Sequence, residues 1–186
     1  NLLPTMIRQL MKTCELNAFE ASFTETAYWL AYFICPIPIA MFMKRYSYKS
    51  GIVFGLVLAA LGGLLFFPAA MIKEYWAYLC IFFIIATGMC FLETAANPYV
   101  TALGDAESAP RRLNLAQSFN GLGAFIAAMF LSKLVLTGYN YTRETLPTDY
   151  PGGWEEYIQM ETVSMKLPYL MLAGLLILIA VIFIFS

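Results

Sequence analysis

The sequence predicts an all-α, multi-pass transmembrane helical bundle. Of the 186 residues, 61% are hydrophobic and only 12% are charged, whereas a soluble domain carries about 25% charged residues. Uncharged runs of 18 to 20 residues recur along the chain, and a helix of that length is about as long as the hydrocarbon core of a bilayer is thick. The runs contain Gly and Ala and are too long for barrel strands, so membrane helices that pack against one another are expected.

Five spanning helices are predicted from these runs, followed or separated by loops. The helices cover residues 22–43, 52–71, 75–98, 113–135 and 167–186. Pro36 and Pro38 fall inside the first helix and predict a kink, because proline lacks the N–H that a helix interior needs. Pro98 should loosen the third helix or end it. Residues 137–166 are expected to form an irregular external loop, and the pattern leaves open a hairpin or a short surface helix within it.

The distribution of cations predicts which loops face the cytoplasm. Two short loops, 44–51 and 104–112, hold five of the eleven Lys and Arg residues. Positively charged loops stay on the cytoplasmic side, so residues 1–20 and 137–166 should lie outside. Since the chain begins at Asn1 on that outer side, we expect a preceding helix that starts in the cytoplasm.

Composition argues against several classes of function. The net charge is −1 and there is no basic block, so a nucleic-acid partner is not expected. The chain has no histidine, which removes the commonest general base and metal ligand. Its four cysteines lack metal-site spacing, so we expect neither a metal nor another cofactor. These absences also disfavour a membrane-embedded enzyme.

Glu93 is the foremost candidate for a functional residue. It ends the uncharged run 75–92, and an ionisable side chain within a membrane helix costs about 2.5–3.5 kcal/mol on insertion scales. Asn97 lies four residues further on and would share a helix face with it. The alternative is that the helix stops at Pro98, so that Glu93 reaches water among the lipid headgroups.

Polar and small residues form a stripe on the next helix. Asn114, Gln117, Ser118 and Gly121 recur at helical spacing, with Asn120 beside them. Amides offer donors and acceptors together, which suits a neutral polyhydroxylated ligand. The same pattern is typical of helix packing in membranes, and the neighbouring Glu93 favours the binding site.

Glu25 is a further candidate, near the start of the first predicted helix. Tyr28, Trp29 and Tyr32 follow it, and such aromatic residues usually mark a membrane interface. Glu25 would then lie at the same interface. Alternatively, it faces the mouth of a water-filled cavity.

Three strings of residues together carry a family resemblance. They are LETAANP at 92–98, RLNLAQ at 112–117 with Phe119-Asn120 after it, and PIP at 36–38 with the loop 44–51. With them, the chain resembles the L-fucose:proton symporter family, which includes glucose and galactose transporters and belongs to the major facilitator superfamily. The resemblance implies that Glu93 matches a membrane-embedded glutamate that acts in sugar recognition and transport. It also implies that Asn120 faces the sugar and that a proton-coupling aspartate would precede Asn1.

The resemblance implies a specific architecture and activity. The chain would be the amino-terminal six-helix half of a major facilitator fold, 1–186, with most of the first helix missing. The whole protein would carry a neutral monosaccharide, L-fucose or galactose or glucose, together with a proton across a bacterial cytoplasmic membrane. Its partners would be the sugar, the proton, the lipid bilayer and the carboxy-terminal half. The rival hypothesis is a non-transporting membrane subunit or scaffold.

Overall fold

A computed structural model describes residues 7, 10, 11, 14, 16–72, 74–127, 129, 141, 145–147 and 150–185. Within these residues the chain forms six α-helices and one short 3-10 turn, and no strand is present. The helices are α1 Ala18–Ile34, α2 Pro36–Arg45, α3 Tyr48–Ile72, α4 Tyr75–Ala102, α5 Ala109–Ile126 and α6 Gly153–Phe185; the turn is Ala106–Ser108. The all-α prediction is confirmed.

Three of these helices are long and apolar enough to cross a membrane. The spans are Tyr48–Ala69 in α3, Tyr75–Ala102 in α4 and Pro168–Phe185 in α6. The pair Phe19–Ile34 and Pro36–Arg45 meets the same test when it is taken as one broken span. The described part of the chain therefore has the length and composition of a multi-pass membrane bundle.

The break between α1 and α2 is the kink that the proline pair predicted. The two helices meet at Cys35 with a bend of 41°. Cys35 still donates its N–H to the carbonyl of Ala31, at 2.9 Å. Pro36 has no N–H, so the helical hydrogen bond to the carbonyl of Tyr32 is missing where the axis bends.

Several helix boundaries differ from the sequence prediction. Helix α6 begins at Gly153, so residues 153–166 are helical although they were expected within the external loop 137–166. Glu155 and Glu156 lie in its first turn, where they complement the helix dipole. Helix α4 runs through Pro98 and ends at Ala102. The second half of the predicted helix 113–135 lies mostly outside the described residues.

Helix α4 lies at the centre of the bundle. It packs against α1, α2, α3 and α5, whereas α6 packs against α3. Its contact with α3 is close because both helices have a glycine at the crossing. A Cβ on Gly88 would lie 2.6 Å from the backbone nitrogen of Ala59 and 2.8 Å from the carbonyl oxygen of Gly55.

Two apolar clusters fix the relative direction of the helices. At one end, Phe66 of α3 packs against Tyr78 of α4 and stacks on Tyr169 of α6, with ring centroids 4.4 Å apart. At the other end, Ile52 of α3 packs with Ala95 of α4 in a cluster that includes Ala180 of α6. Helix α3 is therefore antiparallel to α4 and to α6.

Arg112 joins the end of α4 to the start of α5. Its guanidinium donates to the carbonyls of Val100 at 3.1 Å, Thr101 at 2.9 Å and Asp105 at 3.1 Å, and to the hydroxyl of Ser108. The last carbonyls of a helix have no partner within the helix, and a cation there also complements the dipole. Arg112 therefore caps α4 and places α5 beside it.

Candidate functional site

Glu93 lies within α4, nine residues before the helix ends at Ala102. At 1.5 Å per residue this is about 13 Å from the end. Helix α4 therefore does not stop at Pro98, as the alternative supposed. The Glu93 side chain is exposed on the described bundle, and Tyr32 of α1 donates its hydroxyl to Glu93 Oε1 at 3.2 Å.

A chain of amides connects α4 with α5. Gln117 donates from Nε2 to Asn97 Oδ1 at 2.9 Å, and Asn120 donates from Nδ2 to Gln117 Oε1 at 3.5 Å. Asn97 is half-buried, whereas Gln117 and Asn120 are exposed. Because Gln117 uses both ends of its amide, it links the other two residues.

The carboxylate and the amide chain meet on one face of α4. Glu93 and Asn97 are four residues apart, so their side chains lie one above the other, about 6 Å apart along the axis. Together with Tyr32, the group offers a carboxylate acceptor, a phenol hydroxyl and amides that donate and accept. Such a set can bind a ligand that has several neutral hydroxyls.

Two further candidates lie apart from this hydrogen-bonded group. Asn114 is exposed on α5, and its backbone carbonyl accepts a bond from the hydroxyl of Ser118 at 2.8 Å. Glu25 is exposed in an open surface groove whose lining residues all belong to α1. They are Ser22, Glu25, Thr26, Trp29, Leu30 and Phe33. Among the described residues, neither Asn114 nor Glu25 forms a hydrogen bond with Glu93 or Asn97.

Glu20 has a structural role at the start of α1. Its backbone N–H donates to Asn17 Oδ1 at 2.8 Å, and Asn17 N–H donates to Glu20 Oε2 at 3.0 Å. This reciprocal pair is a capping box, which satisfies two N–H groups that the helix leaves free.

The sequence did not single out two polar residues that the structure places in contacts. The aromatic pattern predicts that Tyr32 lies at a membrane interface, yet its hydroxyl donates to Glu93 and so joins α1 to α4. Glu161 is fully buried in the first part of α6 and accepts a hydrogen bond from Tyr157 at 2.8 Å. Burial, and secondarily this bond, raises the pKa of the Tyr157 hydroxyl. In the sequence, the one sign that points to Glu161 is its position as an acidic residue shortly before the apolar run 167–186.

Comparison with known proteins gives a consistent picture. The family model of the Major Facilitator Superfamily matches residues 1–186. The L-fucose-proton symporter of Escherichia coli (strain K12) is 41% identical over 181 residues, which are 97% of this chain and 41% of that protein. The glucose/galactose transporter of Brucella abortus (biovar 1, strain 9-941) is 36% identical over 178 residues, 96% of this chain and 40% of that protein.

A solved structure agrees with the observed fold. The crystal structure of FucP, a major facilitator superfamily transporter in the outward conformation, superposes with a TM-score of 0.81 at 36% identity. The match covers 99% of this chain and 48% of the FucP chain. This chain therefore spans somewhat less than half the length of the relatives it matches.

Proposed function

Because the chain belongs to the major facilitator superfamily, we propose that it forms the amino-terminal half of a proton-coupled sugar symporter in a bacterial cytoplasmic membrane. The relatives named as fucose-proton symporters and glucose/galactose transporters support a neutral monosaccharide as the substrate class. We expect L-fucose, galactose or glucose. The chain would work with a carboxy-terminal half, a proton and the bilayer, without another cofactor.

One observation carries this proposal: Glu93 and the amide chain of Asn97, Gln117 and Asn120 lie on one face of α4 and α5. A scaffold needs only close helix packing, which the glycine crossing of α3 and α4 already provides. It does not need an exposed carboxylate on a membrane helix, which costs free energy. The exposed amides Gln117 and Asn120 can donate to and accept from sugar hydroxyls, whereas Glu93 can bind a hydroxyl or a proton.

The mechanism follows from the placement of these groups. A monosaccharide would bind between this half and the carboxy-terminal half, because the sites of such transporters lie where the two repeats meet. A protonated Glu93 can donate to a sugar hydroxyl, whereas an ionised one can only accept. The protonation state of Glu93 would therefore affect how it binds the sugar, and exposure of the site to each side in turn would carry sugar and proton across the membrane.

The test is sugar uptake by the full-length protein in proteoliposomes. With an inward proton gradient, we expect accumulation of one of the three labelled sugars, L-fucose, galactose or glucose. Collapse of the gradient with an ionophore should abolish accumulation while exchange of sugar across the membrane continues. If none of the three sugars binds or accumulates in correctly folded protein, the proposal is wrong and the scaffold hypothesis is favoured.

A further inference from the structure

Tyr32 is the residue of α1 that contacts the candidate site. Its hydroxyl donates to Glu93 Oε1 at 3.2 Å, and the two residues are 61 positions apart in the sequence. The Tyr32 ring is half-buried and packs against the cluster of Ile39, Cys90 and Phe91, which joins α2 to α4. The ring is therefore held by packing, and this directs its hydroxyl toward the carboxylate.

The same residue adjoins the break between α1 and α2. The backbone carbonyl of Tyr32 receives no helical hydrogen bond from residue 36, because Pro36 has no N–H. The helix axis bends by 41° at Cys35. The Cys35 thiol lies 3.6 Å from the hydroxyl of Thr87, which also belongs to α4. Two polar contacts from successive turns of the chain thus connect this break with α4.

The hydrogen bond at Glu93 depends on what else binds the carboxyl group. A carboxylate accepts a bond from a phenol strongly because the acceptor is charged. A sugar hydroxyl can bind Oε2 while Tyr32 holds Oε1, whereas a proton on the carboxyl group removes its charge and so weakens the bond from Tyr32. Occupation of Glu93 by a proton would then weaken the contact between α1 and α4 beside the break.

From this geometry we infer that Tyr32 is a positioning residue: it orients the carboxyl group of Glu93 and links the occupation of that group to the α1–α2 break. The inference rests on the function proposed above. It assigns Tyr32 no contact with the sugar itself.

The first experiment is Tyr32→Phe in the full-length transporter, which keeps the ring and removes the hydroxyl. We expect sugar affinity to fall roughly two- to twelve-fold, the range expected for one lost hydrogen bond, with thermal stability close to wild type. Tyr78→Phe is the matched control. Its hydroxyl is buried in the same bundle and has no hydrogen-bond partner among the described residues, so its removal should leave affinity unchanged.

The second experiment separates positioning from a general structural role. In a Glu93→Ala protein the carboxyl group is gone, so adding Tyr32→Phe should lower affinity no further. A full additional loss in that background would overturn the inference, as would wild-type affinity of Tyr32→Phe alone. If Glu93→Ala itself binds and accumulates sugar normally, the proposed site fails as a whole, which is a different outcome.

Discussion

Glu93 is the only charged residue of α4, which the structure describes along its whole length. A charged side chain in a membrane span costs about 2.5–3.5 kcal/mol, which favours a role in the site. This carboxylate receives a hydrogen bond from Tyr32. The bond uses one carboxylate oxygen, so the carboxyl group keeps the capacity to accept from a ligand.

Replacement of Glu93 in the full-length transporter should separate recognition from proton coupling. Glu93→Gln keeps the shape and hydrogen bonding but cannot bind and release a proton, and Glu93→Ala removes both. We expect both to lower gradient-driven uptake, with Ala the worse, and Ala to weaken sugar binding roughly tenfold or more. Binding affinity and uptake would be measured side by side. Wild-type uptake by both variants would contradict the assignment of Glu93 to the site.

The amides on α5 allow a second test at the scale of single residues. Asn120→Ala should weaken sugar binding roughly two- to twelve-fold, because one hydrogen bond to the ligand is lost. Ser118→Ala is the control on the same helix, since the Ser118 hydroxyl bonds to the backbone of Asn114. Affinity would be measured by titration and stability by thermal unfolding. Unchanged affinity with a large loss of stability for Asn120→Ala would assign the stripe to helix packing.

At the scale of elements, the site depends on how α4 is held by its neighbours. Helix α3 approaches α4 closely at Gly55 and Gly88, and Arg112 fixes the turn from α4 to α5. The first contact places α4 within the bundle, whereas the second brings Gln117 next to Asn97. Both contacts lie outside the proposed site, so their loss should act through stability and geometry.

Gly88→Ala should destabilise the bundle. The added Cβ would meet backbone atoms of Ala59 and Gly55 at 2.6 and 2.8 Å, and backbone cannot rotate away as a flexible side chain can. Overpacking of this kind costs about 1–3 kcal/mol, so thermal unfolding in detergent should move to lower temperature. Gly174→Ala is the control, because a Cβ there meets nothing within 4 Å. Equal stability of the two variants would show that α3 and α4 move apart without cost.

Arg112→Ala should loosen the connection between α4 and α5. It removes donors from three backbone carbonyls, and we expect a loss of about 1.5–3 kcal/mol in the free energy of unfolding. Arg112→Lys should recover only part of this loss, since an ammonium lacks the planar fork of donors. The neighbouring exposed residue gives the control Arg111→Ala, which should be nearly neutral. An equal effect of the two alanine variants would exclude a specific capping role for Arg112.

At the scale of the whole molecule, the helix directions agree with the charge pattern of the loops. Because α3 is antiparallel to α4, the loop after α2 and the turn after α4 lie at the same end of the bundle. The cations Lys44, Arg45 and Lys49 flank the first connection, and Arg111 and Arg112 lie at the start of α5, just after the second. The fold therefore allows both cationic connections to face the cytoplasm, as the positive-inside rule requires.

Site-directed labelling tests this orientation. With the native cysteines replaced, single cysteines at Ser50 and Ala106 should react with a membrane-impermeant reagent only after the cytoplasmic side is opened. A cysteine at Thr145 should react in intact cells. The chosen positions are exposed in the structure, so access is limited by the membrane. Labelling of Ser50 from outside intact cells would reverse the proposed orientation.

The sequence by itself determined three things: that the chain lies in a lipid bilayer, that its fold is all-α, and that Glu93 is the foremost candidate residue. Long uncharged runs require a membrane, and helices satisfy their own backbone groups there. Pro36 and Pro38 predicted the break near Cys35, and Glu93 stood out against its apolar run. All of these follow from local chemistry, because run length, a missing N–H and an isolated charge can each be read without knowledge of the neighbouring helices.

The tertiary structure alone decided which residues meet across helices. The bonds from Tyr32 to Glu93 and from Gln117 to Asn97 depend on the rotation and height of each helix relative to α4. A sequence period gives the face of a helix but not its partner or the height at which the two meet. The early start of α6 at Gly153 likewise escaped prediction, because its polar first turns carry no apolar run and are buried partly through contacts of Tyr157 and Glu161. These contacts and this helix boundary depend on packing between residues that are distant in the chain.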